Sequence, residues 1–483
     1  MTAIGFLTVV VGAMAYVQAP QPFSIAFLGL VLACAAAFVR PAVGVYLVIF
    51  LTLLGDNATT SWWPFTKNMS SRESIFYVSD VISITPLEVL LSVTMVSFLL
   101  RALADPSWRF RRGTLLTPIG LLTLFVLIGF GRGLASGGNR TIAIFEVRAL
   151  LYIPVLYVLI TNLFVTRRQY RLVFAISVVA ISIQSIFALV HYSGLPEAER
   201  TVLESLIDHP ATLAMNAVFV LLIGLMAFGA SRKWVWIVAA LTPSILYSYL
   251  LSQRRAAMIA LFVGLVCLFA VLSFRRRRLF WAITPVLFLL GVGFLAVTWN
   301  AEGAIGLPSS AVKTVMFPDQ LGAQDQASNE YRDLESYNLG ATIRGNPVSG
   351  VGFGQPFSIV VPMPDISFFE YWQYMPHNSV LWMWLKTGFL GFFTMLFLFG
   401  RAVQYGARAA LRVTSPDDAA LVVAGLGYVI MFLVFAYVDL GWDHRTTVFL
   451  VLAMTLSADF EPTQEAVSPE QRADRPTAVP VTT

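Results

Sequence analysis

Charge is what this sequence has least of. Of its 483 residues only 12% are Asp, Glu, Lys or Arg, while 57% are apolar. Mean hydropathy is +0.75. A water-soluble domain of this length needs far more charge to cover its surface, so a soluble enzyme or binding module is excluded. Cysteine is nearly absent. Cys34 and Cys267 lie far apart, each within an apolar run, which argues against a disulfide and for packing roles. The four histidines are not spaced as a metal site, and no Cys or clustered carboxylate joins them, so neither metal nor cofactor is expected. Lysine is scarce beside arginine, and the arginines sit in short clusters between apolar runs. The net charge of +5 therefore reports membrane orientation, and no nucleic-acid partner is expected. No basic region precedes the apolar start, whose first basic residue is Arg40, so this start reads as a membrane helix and not as a signal peptide.

What is present is a succession of apolar runs of about 17–25 residues, the length a helix needs to cross a bilayer. Lipid offers no partner to a free backbone N–H or C=O, so these runs must be helical. The pattern predicts membrane helices near 3–18, 22–39, 41–55, 82–101, 114–131, 147–165, 172–191, 211–230, 234–251, 256–274, 280–298, 377–400, 418–437 and 446–459. The fold class is thus an all-α polytopic membrane protein with about 12–14 transmembrane helices. Basic residues alternate from loop to loop: Arg40; Arg101, Arg109, Arg111 and Arg112; Arg167, Arg168 and Arg171; Arg232 and Lys233; Arg275 to Arg278; Arg401, Arg408 and Arg412. The positive-inside rule puts these loops and both termini in the cytoplasm. Four parts follow: helices over 1–298, one large extracytoplasmic loop over 299–376, C-terminal helices over 377–460, and a polar, Pro-rich cytoplasmic tail over 461–483 expected to be disordered. The second half of the loop is too aromatic and apolar for disorder and is expected to pack on the membrane surface. No internal repeat is visible.

The informative basic residues are those on the other side. Arg254 and Arg255 interrupt two apolar runs at an outer boundary, Arg132, Arg140 and Arg148 flank the fifth and sixth predicted helices, and Arg332 and Arg344 lie in the large loop. Ionisable groups at membrane depth are expensive and mark partners or ligands. Guanidinium forks suit phosphate and diphosphate oxygens. Pairing with acids such as Glu146, Asp333 and Glu335, or snorkelling to headgroups, is the structural alternative. Adjacent guanidiniums at 254 and 255 repel unless an anion lies between them, which favours the ligand reading for that pair. The histidines His191, His209, His377 and His444 map to the same side. His377 stands out, because it follows Pro376, precedes Asn378 and opens a helix at the loop's exit. There it can serve as a general base near neutral pH. The run Gly350 to Gly354 lacks the strand–turn–helix context of a phosphate loop and reads instead as tight turns against the membrane domain.

These residues carry a resemblance. Arg332, followed by Pro347 and then Gly350-Val351-Gly352, resembles the signature of the O-antigen ligase and polymerase superfamily. His377-Asn378 with Leu381, Gly388 and Gly391 looks like that family's H-N-x-x-L motif and its downstream glycines, and Ser252 to Ala256 is similar to its short arginine motif. The resemblance covers residues 245–400. It implies a GT-C-like membrane glycosyltransferase of surface polysaccharide assembly in the bacterial cytoplasmic (inner) membrane, with its site facing the periplasm or cell exterior. The donor would be a glycan on polyprenyl diphosphate, and the acceptor a hydroxyl of a glycan, lipid or protein. Arg254, Arg255, Arg332 and Arg344 are then the diphosphate-binding candidates, His377 the catalytic base of an inverting, metal-independent transfer, and Asn378, Gly350 and Gly352 supporting residues. Trp372, Tyr374 and Trp382 are candidates for stacking on sugars, or for an interfacial aromatic belt. The alternative function is a transporter or flippase of lipid-linked glycans. Such proteins carry polar or broken helices at mid-membrane, whereas the predicted helix centres here are almost free of charge, Lys386 being the nearest exception.

Overall fold

The computed structural model describes residues 21–460 apart from 57, 61, 62, 81, 82, 203, 204, 367 and 368. The predicted helix at 3–18 and the tail at 461–483 lie outside the described residues. Each of the other thirteen predicted apolar helices coincides with a helix, and no strand occurs among the described residues. In chain order these are α1 (Gln21–Val39), α2 (Pro41–Leu54), α3 (Pro86–Ala104), α4 (Leu116–Ala135), α5 (Arg140–Leu163) and α6 (Arg167–Gly194). The short α7 (Glu197–Val202) precedes α8 (His209–Phe228), α9 (Arg232–Leu251), α10 (Arg255–Arg275) and α11 (Arg277–Val297). Then follow α12 (Gly303–Met316), α13 (Ala323–Gly345), α14 (Ser379–Arg412), α15 (Pro416–Val438) and α16 (His444–Ala458). Ten of them are long and apolar enough to cross a membrane.

Local sequence explains where the helices begin. Proline occupies the first turn of α2, α3, α8 and α15, where its missing N–H costs nothing. Thr85 with Glu88 and Thr166 with Gln169 form capping boxes on α3 and α6, and Asn139, Ser415 and Asp443 cap α5, α15 and α16. The alternating arginines gather at one end of the bundle and close it. Arg101 donates to Val39 O, Arg171 Nε to Asp418 (2.7 Å), Arg275 to Ala410 O and Val413 O, and Arg276 to Phe228 O. Four of those five acceptors are carbonyls in or just beyond the last turn of a helix, where cations are favoured.

At the centre, α15 and α16 are buried along nearly their whole length and α8 along most of it. Small residues let these backbones approach: Gly264 lies against Met431, Gly224 against Ala420, and Gly425 against the Ala453 carbonyl. By contrast α11 has no buried residue and presents apolar side chains such as Phe288 and Leu290 outward, the pattern of a lipid-facing helix.

The stretch 299–376, to which the sequence reading gave no element, contains α12 and α13 at the end away from the arginine clusters. α13 escaped because it is polar. It buries only a narrow stripe, with Glu335, Asn338, Leu339, Thr342 and Ile343, on the start of α14 and the chain that follows it.

Candidate active site

The start of α14 is built around a helix break. Gly388 has φ +72° inside α14, so the helix breaks there, just ahead of the Phe389 N–H. It donates instead to Pro347 O and Val348 O (both 3.1 Å), while the Leu385 carbonyl accepts from Val351 N–H (2.7 Å). The glycine loop thus lies in the break and satisfies its backbone. Only glycine fits there. A Cβ on Gly350 (φ +64°) would lie 2.4 Å from Leu385 O, and one on Gly352 (φ +92°) 2.4 Å from Gly133 N. Gly350 and Gly352 are therefore wedged between α4 and α14.

A buried ion pair secures the loop. Lys386 Nζ meets Glu146 Oε1 at 2.7 Å and donates to Gln355 O at 2.6 Å, with both side chains fully buried. Glu146 also accepts from Gly354 N–H and from Trp382 Nε1. This corrects two readings from sequence. Glu146 pairs with Lys386 and not with Arg140 or Arg148, the latter engaging Glu88 at 2.9 Å. Trp382 is 2% exposed and donates to Tyr374 O, so it holds the loop and is not available to a sugar.

On this platform Asn378 caps α14, its Oδ1 accepting from Leu381 N–H at 2.9 Å. The cap sets the direction of His377 immediately before it. His377 Nδ1 lies 3.2 Å from Glu335 Oε1, and its backbone N–H donates to Glu335 Oε2 at 2.8 Å. Glu335 is 1% exposed, so a buried carboxylate holds the ring with Nε2 turned away from it. The Tyr331 ring packs edge-on to His377 at 5.7 Å. Sequence reading offered Glu335 only as an arginine partner. Its one-turn spacing from Arg332 was the available signal, and it shows only once α13 is read as a helix.

Arg332 stands one turn before Glu335, with a buried Nε that finds no partner. It is close enough to Arg255 for the two cations to repel. Arg255 reaches Thr314 Oγ1 (2.9 Å) and Asp325 (3.3 Å) and is half-buried. Arg254 Nε turns to Ser205 (3.0 Å), so the adjacent pair diverges. Gln253, at φ +51°, is the sole non-glycine residue in the left-handed region among the described residues, and this sharp turn starts α10 with its arginines. Arg344 stands apart. Twelve residues beyond Arg332 on one helix, it lies about 18 Å further along the axis, exposed and against the Tyr337 ring.

One residue sequence reading did not single out completes the cluster. Asp439, in the turn after α15, bonds His209 Nδ1, and its carbonyl accepts from Ser379 Oγ (3.0 Å). Burial alone would raise its pKa, but His209, Arg332 and His377 outweigh burial and hold it well below the usual carboxylate range. The arrangement is an anionic hub between two histidines and a guanidinium, beside a second guanidinium with diphosphate-binding chemistry.

The family model described as O-antigen ligase matches residues 244–396, a span that holds Arg254, Arg255, Arg332, Glu335, the glycine loop and His377. Over that span, about a third of its length, the chain is similar to the O-antigen ligase family. The O-antigen ligase of Salmonella typhimurium (strain LT2) is 23% identical over 230 residues, which is 44% of this chain. The chain spans 56% of that relative's length. The superfamily match thus ends inside α14, and Asp439 lies beyond it.

Proposed function

We propose that this chain is an O-antigen ligase- or polymerase-like glycosyltransferase that moves a glycan from polyprenyl diphosphate to an acceptor hydroxyl. The site would face the periplasm or cell exterior from the bacterial inner membrane. The observation that carries the reading is the meeting of Arg255 and Arg332 with the His377–Glu335 pair at the end of the bundle away from the arginine clusters. The positive-inside rule assigns that end to the outer side.

The chemistry follows from the groups present. The acceptor oxygen attacks the anomeric carbon as its proton passes to His377 Nε2. The bond from that carbon to the diphosphate oxygen breaks, and the electron pair leaves with the polyprenyl diphosphate. Arg255 and Arg332, with Arg254 nearby, stabilise the charge growing on the leaving group, so the reading calls on no metal. Glu335 accepts from Nδ1–H and fixes the tautomer that leaves Nε2 free to take a proton. Attack opposite the leaving group inverts the anomeric centre.

The transporter reading gains a broken helix and a buried Lys386–Glu146 pair. Here, however, the break is filled by the glycine loop, whose backbone pairs across it. Reconstituted protein tests the proposal. Glycan transfer from a polyprenyl diphosphate donor should fall about a hundredfold or more in His377→Ala and in Arg332→Ala, the size of effect that general-base proton transfer and leaving-group charge stabilisation each supply. Wild-type protein that moves donor across the bilayer and transfers nothing would replace it with transport.

A further inference from the structure

A cavity of about 470 Å³ lies beside α12 and α13, with Arg255 in its wall, yet its charge does not suit an anion. Arg255 and Lys313 are the cations that line it, and Asp325 and Glu302 the carboxylates, two against two. Both terminal nitrogens of Arg255 are also engaged. Nη1 donates to Thr314 Oγ1 at 2.9 Å, and Nη2 meets Asp325 Oδ1 at 3.3 Å. A guanidinium grips a phosphoryl group through paired N–H donors, so one of these partners must withdraw before a diphosphate can be held.

Asp325 is the partner able to do so. Its side chain is 40% exposed against 12% for Arg255, so the carboxylate lies on the water side of the pair. Glu335 and Asp439, at 1% and 2%, have no such route. Asp325 also stands in the first turn of α13, where the helix N-terminus favours negative charge, so leaving Arg255 does not strand it. Ser310 Oγ, donating to Asp325 Oδ2 at 3.2 Å, keeps the carboxylate turned towards α12.

Arg332 follows Asp325 by seven residues on α13, which is about two turns along the same face. Its Nε is buried without a partner, and it lies close enough to Arg255 for the two cations to repel. Asp325 offsets that repulsion at Arg255 alone. A diphosphate, charged on both phosphoryl groups, offsets it at both guanidiniums.

Resting on the transferase reading, we infer that Asp325 is an exchangeable counter-ion of the leaving-group site. It holds Arg255 until the donor's diphosphate takes its place, and it returns to Arg255 as the polyprenyl diphosphate leaves. The return has a chemical reason. Breaking the bond to the sugar leaves one more negative charge on the diphosphate, so the two arginines attract the product more strongly than the donor. A carboxylate that competes for Arg255 loosens both and speeds release.

The test uses the full chain in nanodiscs with farnesyl diphosphate as the probe, its binding measured by calorimetry. Asp325→Asn and Asp325→Ser remove the competing charge in two different ways. Each should bind the probe about fivefold more tightly, the upper end of what a half-exposed ion pair contributes. That gain should vanish when Arg255→Ala is combined with either. In turnover with a polyprenyl diphosphate donor, Asp325→Asn should lower KM and kcat together and sharpen inhibition by added farnesyl diphosphate, and Asp325→Glu should restore all three. A merely structural role would instead raise KM. Binding that is unchanged or weaker in both charge-removing variants, or a gain that persists without Arg255, overturns the inference alone, provided Arg255→Ala by itself weakens binding. If Arg255→Ala binds as tightly as wild type, the diphosphate assignment of the transferase reading fails and takes the inference with it.

Discussion

Removing the ammonium of Lys386 should unlock the candidate active site from inside the bundle. Lys386 and Glu146 are both fully buried and 2.7 Å apart, so water does not screen the pair. Lys386→Met leaves the Glu146 carboxylate with only Gly354 N–H and Trp382 Nε1, and the Gln355 carbonyl with no donor from the lysine. Breaking a buried pair by removing one partner costs about 3–5 kcal/mol, because the other charge stays behind uncompensated. Glu146→Gln should cost less, since its amide can still bond the loop. The double variant Glu146→Gln with Lys386→Met carries no stranded charge and should recover about 1–3 kcal/mol relative to the sum of the singles. Reversible unfolding in mixed micelles, read by tryptophan fluorescence, gives all three values. Since the pair holds the glycine loop in the α14 break, Lys386→Met should also lower transfer activity at temperatures where the protein remains folded. Additive costs in the cycle, or a Lys386→Met cost below about 1 kcal/mol, would refute the argument that this pair holds the platform.

Glu335→Gln keeps the shape around His377 and removes the charge that would face the imidazolium of the proposed reaction. It should lower kcat about a hundredfold, roughly 2.7 kcal/mol, with little change in donor KM. Gly352→Ala forces a Cβ to 2.4 Å from Gly133 N at φ +92°, so it should cost several kcal/mol and reduce the yield of folded protein, whereas Gly137→Ala, with open space around it, should cost only about 1 kcal/mol of backbone strain. Burial pushes the His444 pKa down from 6.5 to about 4, Asp443 opposing and Arg445 adding to the effect. Between those values the unfolded chain binds a proton that the folded one refuses, so stability should fall as pH drops from about 6.5 to about 4. His444→Gln should flatten that slope in thermal melts across the same range.

The order of residues was enough to settle the fold class of this protein. Lipid cannot satisfy a backbone, so each apolar run was expected to be a helix, and the thirteen of the fourteen runs that lie within the described residues are helices. It also raised His377, Arg255 and Arg332 as candidates, because ionisable groups near a membrane surface are costly. α13 was illegible for the converse reason. It lies outside the bilayer and buries only a stripe, so no apolar run announces it. Without α13, Glu335 had no reason to be linked to a histidine 42 positions later. The Asp439 hub, the Lys386–Glu146 pair and the divergence of Arg254 from Arg255 arise only in the folded chain. Each depends on polar contacts between segments far apart in the chain, and such contacts leave no periodic trace in sequence. Their partners are chosen by which groups burial leaves face to face.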